Sequence, residues 1–373
     1  MNILVTGANG FIGKNLILEL ENAGYSSVYP YDVDTKEELL DDYARCCDFV
    51  FHLAGVNRPK DEKEFMEGNF GFTSVLLEKL KKYHNPAPIL ITSSIQAQLD
   101  NPYGKSKRAG EELLLSYAEE TGARVIIYRL PNVFGKWCRP NYNSVVATFC
   151  HNIANGLDIR LDDPKTVMNL VYIDDVIREF FAAMDGKEHR NGDFSSVPAV
   201  HTVRLGEIAE SLYRFRNGRS DLSVPNLSNE FEKKLYSTYL SYLPKDDFSY
   251  PLHMHTDERG SFTEFLRTPD RGQVSVNISR PGVTKGNHWH HTKCEKFLVV
   301  KGTGCIRFRK IGEEEIITYH VSDKNLTVVD IPTGYTHSIT NEGDTDMITV
   351  MWANEAFDPD RPDTYFEKVE VKP

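Results

Sequence analysis

A tyrosine and a lysine four residues apart, Tyr103 and Lys107, are the first residues whose types and spacing could do chemistry. On a helix these positions share one face, which would place the ammonium beside the phenol. A neighbouring cation favours tyrosinate, so we expect the pKa of Tyr103 to fall from ~10 toward the working range. Such a tyrosine can donate a proton to a carbonyl oxygen as hydride reaches the carbon.

Two serines precede this pair, at the end of the apolar stretch formed by residues 88–92. A hydroxyl there could bind the carbonyl oxygen that accepts the proton. We expect Ser94 to have this role, with Ser93 as second choice. A tyrosine and a lysine at this spacing are common on solvated helix faces. The surrounding helices and strands must therefore decide whether this pair is catalytic or only a solvated face.

A glycine-rich turn follows the first apolar stretch, residues 3–6, and opens a helical pattern. Small residues let the backbone approach a pyrophosphate, and a helix N-terminus supplies free N–H groups with a partial positive charge. The spacing Gly-x-x-Gly-x-x-Gly between strand and helix therefore predicts a dinucleotide site. The residues expected to contact the cofactor in this turn are Gly7, Asn9, Gly10, Phe11, Ile12 and Gly13.

Asp32 ends the second apolar stretch, where an acidic side chain usually binds the adenosine ribose. Leu53, Ala54 and Gly55 end the third, and we expect the cofactor to lie across them, with Lys107 also in contact. An acidic residue at the Asp32 position is typical of NAD sites, whereas a biosynthetic reductase is expected to use NADPH. Lys14 is a candidate partner for a 2′-phosphate.

Three histidines and a glutamate form a second constellation near the C-terminus. Alternation along a strand puts His288 and His290 on one face, and Glu295 and His337 can come from later strands. Three imidazoles and a carboxylate suit a divalent transition metal such as zinc, iron, manganese or nickel. His291 points to the opposite face and is interpreted as a structural or surface residue.

The elements that must position these residues fall into two halves. In the first, short apolar stretches alternate with amphipathic ones, which indicates a doubly wound parallel sheet covered by helices. In the second, seven short strands separated by turn residues indicate an all-β jelly-roll barrel. We place the boundary between residues 245 and 246, so that residues 1–245 and 246–373 form two domains.

The composition of the chain argues against two classes of protein, nucleic-acid-binding proteins and membrane-spanning proteins. The chain has 373 residues and a formal net charge of −11, which argues against a nucleic-acid partner. No apolar stretch approaches the ~20 residues that a membrane-spanning helix needs. The six cysteines are irregularly spaced and predict reduced thiols in a cytoplasmic protein.

The glycine turn, the strand-end hydroxyls and the Tyr103/Lys107 pair together resemble the extended short-chain dehydrogenase/reductase family, over roughly residues 1–245. Residues 129–135 and 169–176 are similar to family segments that line a sugar-nucleotide pocket. The resemblance implies a nicotinamide cofactor and places Asn132 among the substrate-binding residues.

The histidine constellation resembles both motifs of the cupin superfamily, except that Leu326 stands where a glycine would begin the second motif. Lys285, His288 and the segment 257–265 are also similar to dTDP-4-keto-6-deoxyhexose 3,5-epimerases. That resemblance makes Lys285 a substrate-binding candidate and gives His288 two competing roles, metal ligand or base; we favour ligand. Lys285, Tyr335 and His320 are weak candidates for the base.

Both halves together resemble a family of fused capsular polysaccharide synthesis enzymes. The resemblance implies that the cupin domain epimerises C3 of a UDP-2-acetamido-2,6-dideoxy-4-hexulose. NADPH-dependent reduction at C4 then gives UDP-2-acetamido-2,6-dideoxy-L-talose, on the route to N-acetyl-L-fucosamine. It also implies zinc and a homodimer joined through the cupin domain. The alternatives are a sugar-nucleotide dehydratase fused to a metal-dependent dioxygenase, and a non-catalytic NADPH-sensing protein.

Overall fold

The computed structural model describes residues 1–370, which divide into two compact units. The first comprises Met1–Leu212 with Lys234–Leu243, and the second comprises Tyr213–Lys233 with the described chain from Pro244 onward. The segment Tyr213–Lys233 therefore groups with the second unit, although it precedes the boundary expected from the sequence.

A parallel sheet forms the centre of the first unit. Its strands are β1 (Ile3–Thr6), β2 (Val28–Tyr31), β3 (Phe49–His52), β4 (Ile89–Ser94) and β5 (Val125–Leu130). They lie in the order β2-β1-β3-β4-β5, all parallel. Neighbouring residues on these strands face opposite sides: Ile3 and Val5 belong to one buried cluster and Leu4 to another. Burial on both faces explains why the strands are continuously apolar.

Shorter strands extend this architecture. They are β6 (Asn132–Phe134), β7 (Val167–Tyr172), β8 (Arg190–Asn191), β9 (Phe194–Ser195) and β10 (Val200–Arg204). β9 and β8 continue the sheet beyond β5, while β10, β7 and β6 form a separate three-stranded sheet in that order.

Nine helices accompany these strands in the described chain: α1 (Phe11–Asn22), α2 (Glu37–Cys46), α3 (Lys63–Met66), α4 (Phe72–Lys82), α5 (Pro102–Thr121), α6 (Val145–Ala154), α7 (Ile173–Met184), α8 (Leu205–Asp221) and α9 (Glu230–Leu240). A π-helical turn, Glu67–Gly71, joins α3 to α4, and a 3₁₀ turn, Ile95–Gln98, follows β4. Asn101 caps α5 by accepting a hydrogen bond from Gly104 N at 2.7 Å, and Pro102 occupies its first position. Among the described residues, no helix is long and apolar enough to cross a membrane.

The second unit contains two antiparallel sheets. The strands are β11 (His255–Asp257), β12 (Gly260–Thr268), β13 (Gly272–Ser279), β14 (Thr284–Trp289), β15 (Glu295–Lys301), β16 (Thr303–Lys310), β17 (Ile316–Ser322), β18 (Val328–Ile331), β19 (Tyr335–Asn341), β20 (Met347–Ala353) and β21 (Tyr365–Phe366). One sheet has the order β11-β12-β13-β20-β15-β18 and the other β17-β16-β19-β14-β21. Apolar side chains from both sheets, including Phe297, Phe308 and Ile339, form its core. The parallel sheet with its helices in the first unit and the two antiparallel sheets in the second confirm the fold class predicted from the sequence.

Candidate active site and candidate metal site

The glycine turn brings the end of β1 close to the segment that follows β3. Gly7 has a φ of +69°, and a Cβ there would lie 2.7 Å from Ala54 N. α1 begins directly after Gly10, and no described side chain caps its N-terminus or places an acidic group in its first turn. The open N–H groups and the helix dipole therefore suit a pyrophosphate. The turn and the segment Leu53–Gly55 stand together, as a dinucleotide site requires.

Asp32 lies beside this turn. Its carboxylate accepts hydrogen bonds from Asn9 N at 2.7 Å and from Val33 N at 2.8 Å. A hollow of about 240 Å³ adjoins it, lined by Ala8, Asn9, Pro30, Asp32, Asp34 and Thr35. Lys14 instead lines a separate hollow with Trp137, so the structure gives no support to Lys14 as the partner of a ribose phosphate. The Asp32 hollow has acceptors for ribose hydroxyl groups.

Tyr103 and Lys107 lie in the first two turns of α5, one helical turn apart. The Lys107 Nζ atom is 5.9 Å from the centre of the Tyr103 ring and donates to Thr92 O at 3.3 Å. Ser94, at the end of β4, neighbours the Tyr103 hydroxyl and favours its ionised form, which lowers the pKa of the phenol. Ser93 instead donates to Glu111 at 2.5 Å, within the protein interior. The geometry thus favours Ser94 over Ser93 as the hydroxyl beside the tyrosine.

The protonation of this pair differs from the expectation. Burial raises the pKa of Tyr103 above its usual value, and the effect of Ser94 only partly offsets this. Burial also lowers the pKa of Lys107 to about 8, against the opposing effect of Glu111. The predicted lowering of the tyrosine pKa is therefore wrong, because desolvation of the phenol is the largest effect on its pKa and Lys107 is not among the groups that lower it.

Asn69 is a buried residue that the sequence analysis missed. It lies in the π-helical turn, where its side chain exchanges hydrogen bonds with the backbone of Val56 at 3.0 and 3.1 Å. It also donates to Ser106 Oγ at 3.0 Å, and Ser106 donates to Tyr103 O at 2.8 Å. Asn69 therefore ties the segment after β3 to the helix that carries the tyrosine. No periodicity in the sequence could have revealed it, because the turn that carries it is π-helical.

Gly55 leaves the space that Lys107 needs. A Cβ at Gly55 would stand 2.9 Å from Lys107 Nζ and 2.8 Å from Asn69 Oδ1. The absence of a side chain there thus serves the lysine as well as the expected cofactor. Glu111, one turn beyond Lys107, forms a bidentate ion pair with Arg129 at 2.6 and 2.9 Å, so its buried carboxylate is neutralised beside the site.

The four predicted metal ligands converge in the second unit. His288 lies one residue before the end of β14, opposite His337 on β19; His290 directly follows β14, and Glu295 begins β15. One ligand atom from each of the four lies within 4.8 Å of all the others. A β-bulge at Asn287, whose φ is +60°, displaces His288 from the regular register and turns it toward His337.

The unpaired atoms of this cluster fit a metal ion. Among the described residues, His290 Nε2, Glu295 Oε2 and both ring nitrogens of His337 are buried without a hydrogen-bond partner. Glu295 Oε2 lies 3.5 Å from His290 Nε2 and 3.3 Å from His337 Nε2. Two ligands of a tetrahedral ion at about 2.0–2.1 Å would stand about 3.4 Å apart. Buried polar atoms are normally satisfied, so their convergence points to a bound cation.

The remaining candidates have different surroundings. Lys285 Nζ donates to Asn277 Oδ1 at 2.7 Å and to Ile278 O at 2.8 Å, and burial lowers its pKa. His320 lies exposed on β17, and Tyr335 begins β19. Asn132 begins β6 and is exposed. His320 therefore lies outside the histidine cluster, and the Lys285 ammonium already donates hydrogen bonds to protein acceptors.

A second cluster of possible ligands consists of Cys305 on β16, His320 on β17 and Glu342, which follows β19. Arg307 interacts with the Cys305 thiol and approaches Glu342 at 3.7 Å. Because a guanidinium already supplies the positive charge, we do not interpret this cluster as a metal site.

Comparison with known proteins agrees with both units. Residues 3–195 match the model of the NAD dependent epimerase/dehydratase family, and residues 255–365 match the polysaccharide biosynthesis C-terminal domain. The crystal structure of the capsular polysaccharide assembling protein CapF from Staphylococcus aureus is 56% identical, with a TM-score of 0.94. The match covers 99% of this chain and 100% of that one. The chain belongs to the CapF family.

Two further relatives extend this finding. A UDP-2-acetamido-2,6-beta-L-arabino-hexul-4-ose reductase from Pseudomonas aeruginosa is 48% identical over 98% of both chains. A structure of CapF with the inhibitor 3-isopropenyl-tropolone is 51% identical, has a TM-score of 0.89, and covers 99% of this chain and 100% of that one. The family predicted from the sequence is confirmed, and the similarity to CapF spans both units.

Proposed function

We propose that the protein is a bifunctional UDP-sugar enzyme of capsular polysaccharide synthesis. The first unit reduces the C4 ketone of a UDP-4-keto-6-deoxy-N-acetylhexosamine, and the second epimerises C3 of the same sugar. The product is UDP-2-acetamido-2,6-dideoxy-L-talose, which leads to N-acetyl-L-fucosamine. The Pseudomonas relative, described as a UDP-hexul-4-ose reductase, supports the reduction. The observation that carries it is the position of the Lys107 Nζ atom 5.9 Å from the centre of the Tyr103 ring on one helix face, with Ser94 acting on the same phenol.

Each of these three residues has a defined task in reduction. A nicotinamide cofactor supplies hydride when bound. The Ser94 hydroxyl group hydrogen-bonds the C4 oxygen, and the Tyr103 hydroxyl donates its proton to that oxygen as negative charge develops. The Lys107 ammonium then stabilises the tyrosinate that remains. The open N-terminus of α1 would hold the pyrophosphate of this cofactor, and Asp32 would bind its ribose.

The cofactor is NADPH in this proposal, as expected for a biosynthetic reductase. The Asp32 hollow includes two carboxylates, and no lysine or arginine is among its described lining residues. Because these carboxylates would repel a 2′-phosphate, we expect NADH to be accepted at least as well as NADPH. Turnover of one sugar substrate with each cofactor measures this, and a strong preference for NADPH would show that a cation outside this hollow binds the 2′-phosphate.

Epimerisation in the second unit rests on the acidity of the C3 proton next to a ketone. His288, His290, Glu295 and His337 would hold a divalent cation there, and zinc is the proposed ion. A divalent cation stabilises negative charge on oxygen when bound. The tropolone inhibitor of CapF supports a metal, since tropolones chelate divalent cations through two oxygens. We also propose a homodimer joined through the cupin domain and a cytoplasmic location, where sugar nucleotides are made.

Replacing Tyr103 with phenylalanine tests the division of labour. Tyr103→Phe keeps the ring but removes the transferable proton, so cofactor oxidation should be abolished. Exchange of the C3 proton with solvent deuterium should continue at the parent rate, because that step belongs to the second unit. Loss of deuterium incorporation in this variant would refute the assignment of the two steps to separate sites.

A further inference from the structure

A short C-terminal segment, residues 362–366, crosses the loop that carries one of the candidate metal ligands. β21 pairs with β14, placing Phe366 opposite His288 and Tyr365 opposite Trp289. The Tyr365 ring also lies 5.0 Å from the Trp289 ring, centre to centre. The segment is therefore fastened to the strand that leads into the metal site.

Asp363, which precedes this strand, holds the loop in two ways. Its carboxylate accepts hydrogen bonds from the backbone N–H groups of His291 at 3.0 Å, Thr292 at 2.9 Å and Lys293 at 2.9 Å, and from Thr292 Oγ1 at 3.1 Å. Its backbone carbonyl accepts a hydrogen bond from His290 Nδ1 at 2.5 Å. One residue thus contacts every position of the loop from His290 to Lys293.

The carbonyl contact determines which nitrogen of His290 is free. A carbonyl oxygen can only accept, so Nδ1 carries the hydrogen, and in the neutral ring that binds a metal Nε2 presents its lone pair. Nε2 is the buried atom without a hydrogen-bond partner that faces Glu295. Asp363 has a φ of +39°, in the left-handed region that non-glycine residues rarely adopt. The surrounding contacts hold this conformation, which aims the carbonyl at the ring while the carboxylate faces the loop.

We propose that Asp363 is a positioning residue for the metal centre. Its carboxylate fixes the loop 290–293, and its carbonyl fixes the ring orientation and tautomer of His290. The inference rests on the proposed metal site, and Asp363 is not itself one of the histidine and glutamate ligands of that site. Partners of this kind, which hold a ligand rather than the ion, typically contribute about 10- to 100-fold to metal affinity.

The test uses the full chain after removal of metal with a chelator, and titrates Zn²⁺ against a chromophoric competitor. Asp363→Ala should weaken Zn²⁺ binding by about 10- to 100-fold. Asp363→Asn, which keeps one acceptor oxygen, should lose less. Asp360→Ala is the matched control, because Asp360 is an exposed acid two residues before this segment, and among the described residues its hydrogen bond is a backbone one, from its N–H to Asp358. It should bind Zn²⁺ like the parent.

Two further readouts separate positioning from general destabilisation. With Co²⁺ at saturation, the visible spectrum of Asp363→Ala should differ from that of the parent, because His290 is no longer held. In the metal-free proteins, the amides of residues 291–293 should exchange hydrogen faster in Asp363→Ala than in Asp360→Ala.

Parent-like affinity and an unchanged spectrum in Asp363→Ala, or in Asp363→Asn if the alanine variant does not fold, would overturn the inference. Unchanged amide exchange in the metal-free variant would overturn it too. A parent protein that binds no Zn²⁺ would defeat the metal proposal instead, and the exchange measurement would still decide whether Asp363 holds the loop.

Discussion

Replacing Lys107 with methionine should make the protein more stable and inactive at pH 7. The ammonium of Lys107 lies in buried surroundings, which lower its pKa from 10.5 to about 8. Holding the proton on this residue in the folded state therefore costs about 3 kcal/mol, an upper bound from 1.36 kcal/mol per pKa unit. Methionine keeps the length of the side chain without the charge. It also loses the hydrogen bond to Thr92 O, worth about 1 kcal/mol.

The net gain expected at pH 7 is about 2 kcal/mol, or roughly 4–8 °C in the melting temperature of a unit of this size. The gain should shrink with rising pH. Below pH 8 both folded and unfolded chains carry the proton, so the parent bears the full cost. Between about pH 8 and 10.5 the folded parent releases the proton while the unfolded chain retains it, which stabilises the parent. Near pH 10.5 the cost of the buried charge should have vanished. The hydrogen bond to Thr92 O is then the remaining difference, so the parent should be more stable than Lys107→Met.

Calorimetry of the full chain at pH 7 and pH 9.5 measures this difference. The transition of the first unit is identified by its shift when a nicotinamide cofactor is added to the parent. Lys105→Met is the matched control, because Lys105 is exposed on the same helix and pairs only with Asp100, at 3.1 Å. It should change stability by no more than about 0.5 kcal/mol. A Lys107→Met protein that is less stable than the parent at pH 7, or an advantage independent of pH, would refute the reasoning.

The other predictions concern the glycine turn, the metal and the pH dependence. Gly24→Ala should lose about 1–2 kcal/mol in urea unfolding because Gly24 has a positive φ, and Gly7→Ala should lose more because its Cβ would also clash with backbone atoms. Only Gly7→Ala should also lose cofactor affinity, since its Cβ would displace Ala54 whereas Gly24 faces open space; equal affinities would contradict this. His337→Ala should lose bound metal and destabilise the second unit; metal retained at one equivalent would remove His337 from the site. The kcat/KM for reduction should fall as pH rises through about 8, where Lys107 loses its proton; a flat profile to pH 9.5 would exclude that role.

The parts of the fold that follow from local pattern could be predicted from the sequence. The glycine turn lies between β1 and α1 as expected, and the alternation of strands and helices forms a parallel sheet. The spacing of the four metal ligands also suffices to predict their convergence, because it encodes strand register directly.

Residues that act through distant contacts could not be found in this way. Asp363 is 73 residues from His290, and its role depends on β21 pairing with β14. Asn69 is 37 residues from Ser106 and bonds through a π-helical turn that no periodicity announces. Both are short polar residues in segments with weak patterns, and only tertiary structure shows what they contact.

The pKa of Tyr103 shows that the protonation state that a Tyr/Lys pair needs depends on whether the enzyme oxidises an alcohol or reduces a ketone. The sequence suggests a tyrosine made acidic by its lysine, which would suit removal of a proton from an alcohol. In the structure, burial raises the pKa of Tyr103 and keeps the phenol protonated. A reductase needs that form, since the hydroxyl must hold a proton until the C4 oxygen gains charge. Lys107, with its pKa of about 8, is still mostly charged at pH 7 and can stabilise the tyrosinate once the proton has left. The same burial therefore keeps Tyr103 protonated until it donates, and it leaves the Lys107 ammonium beside the tyrosinate that results.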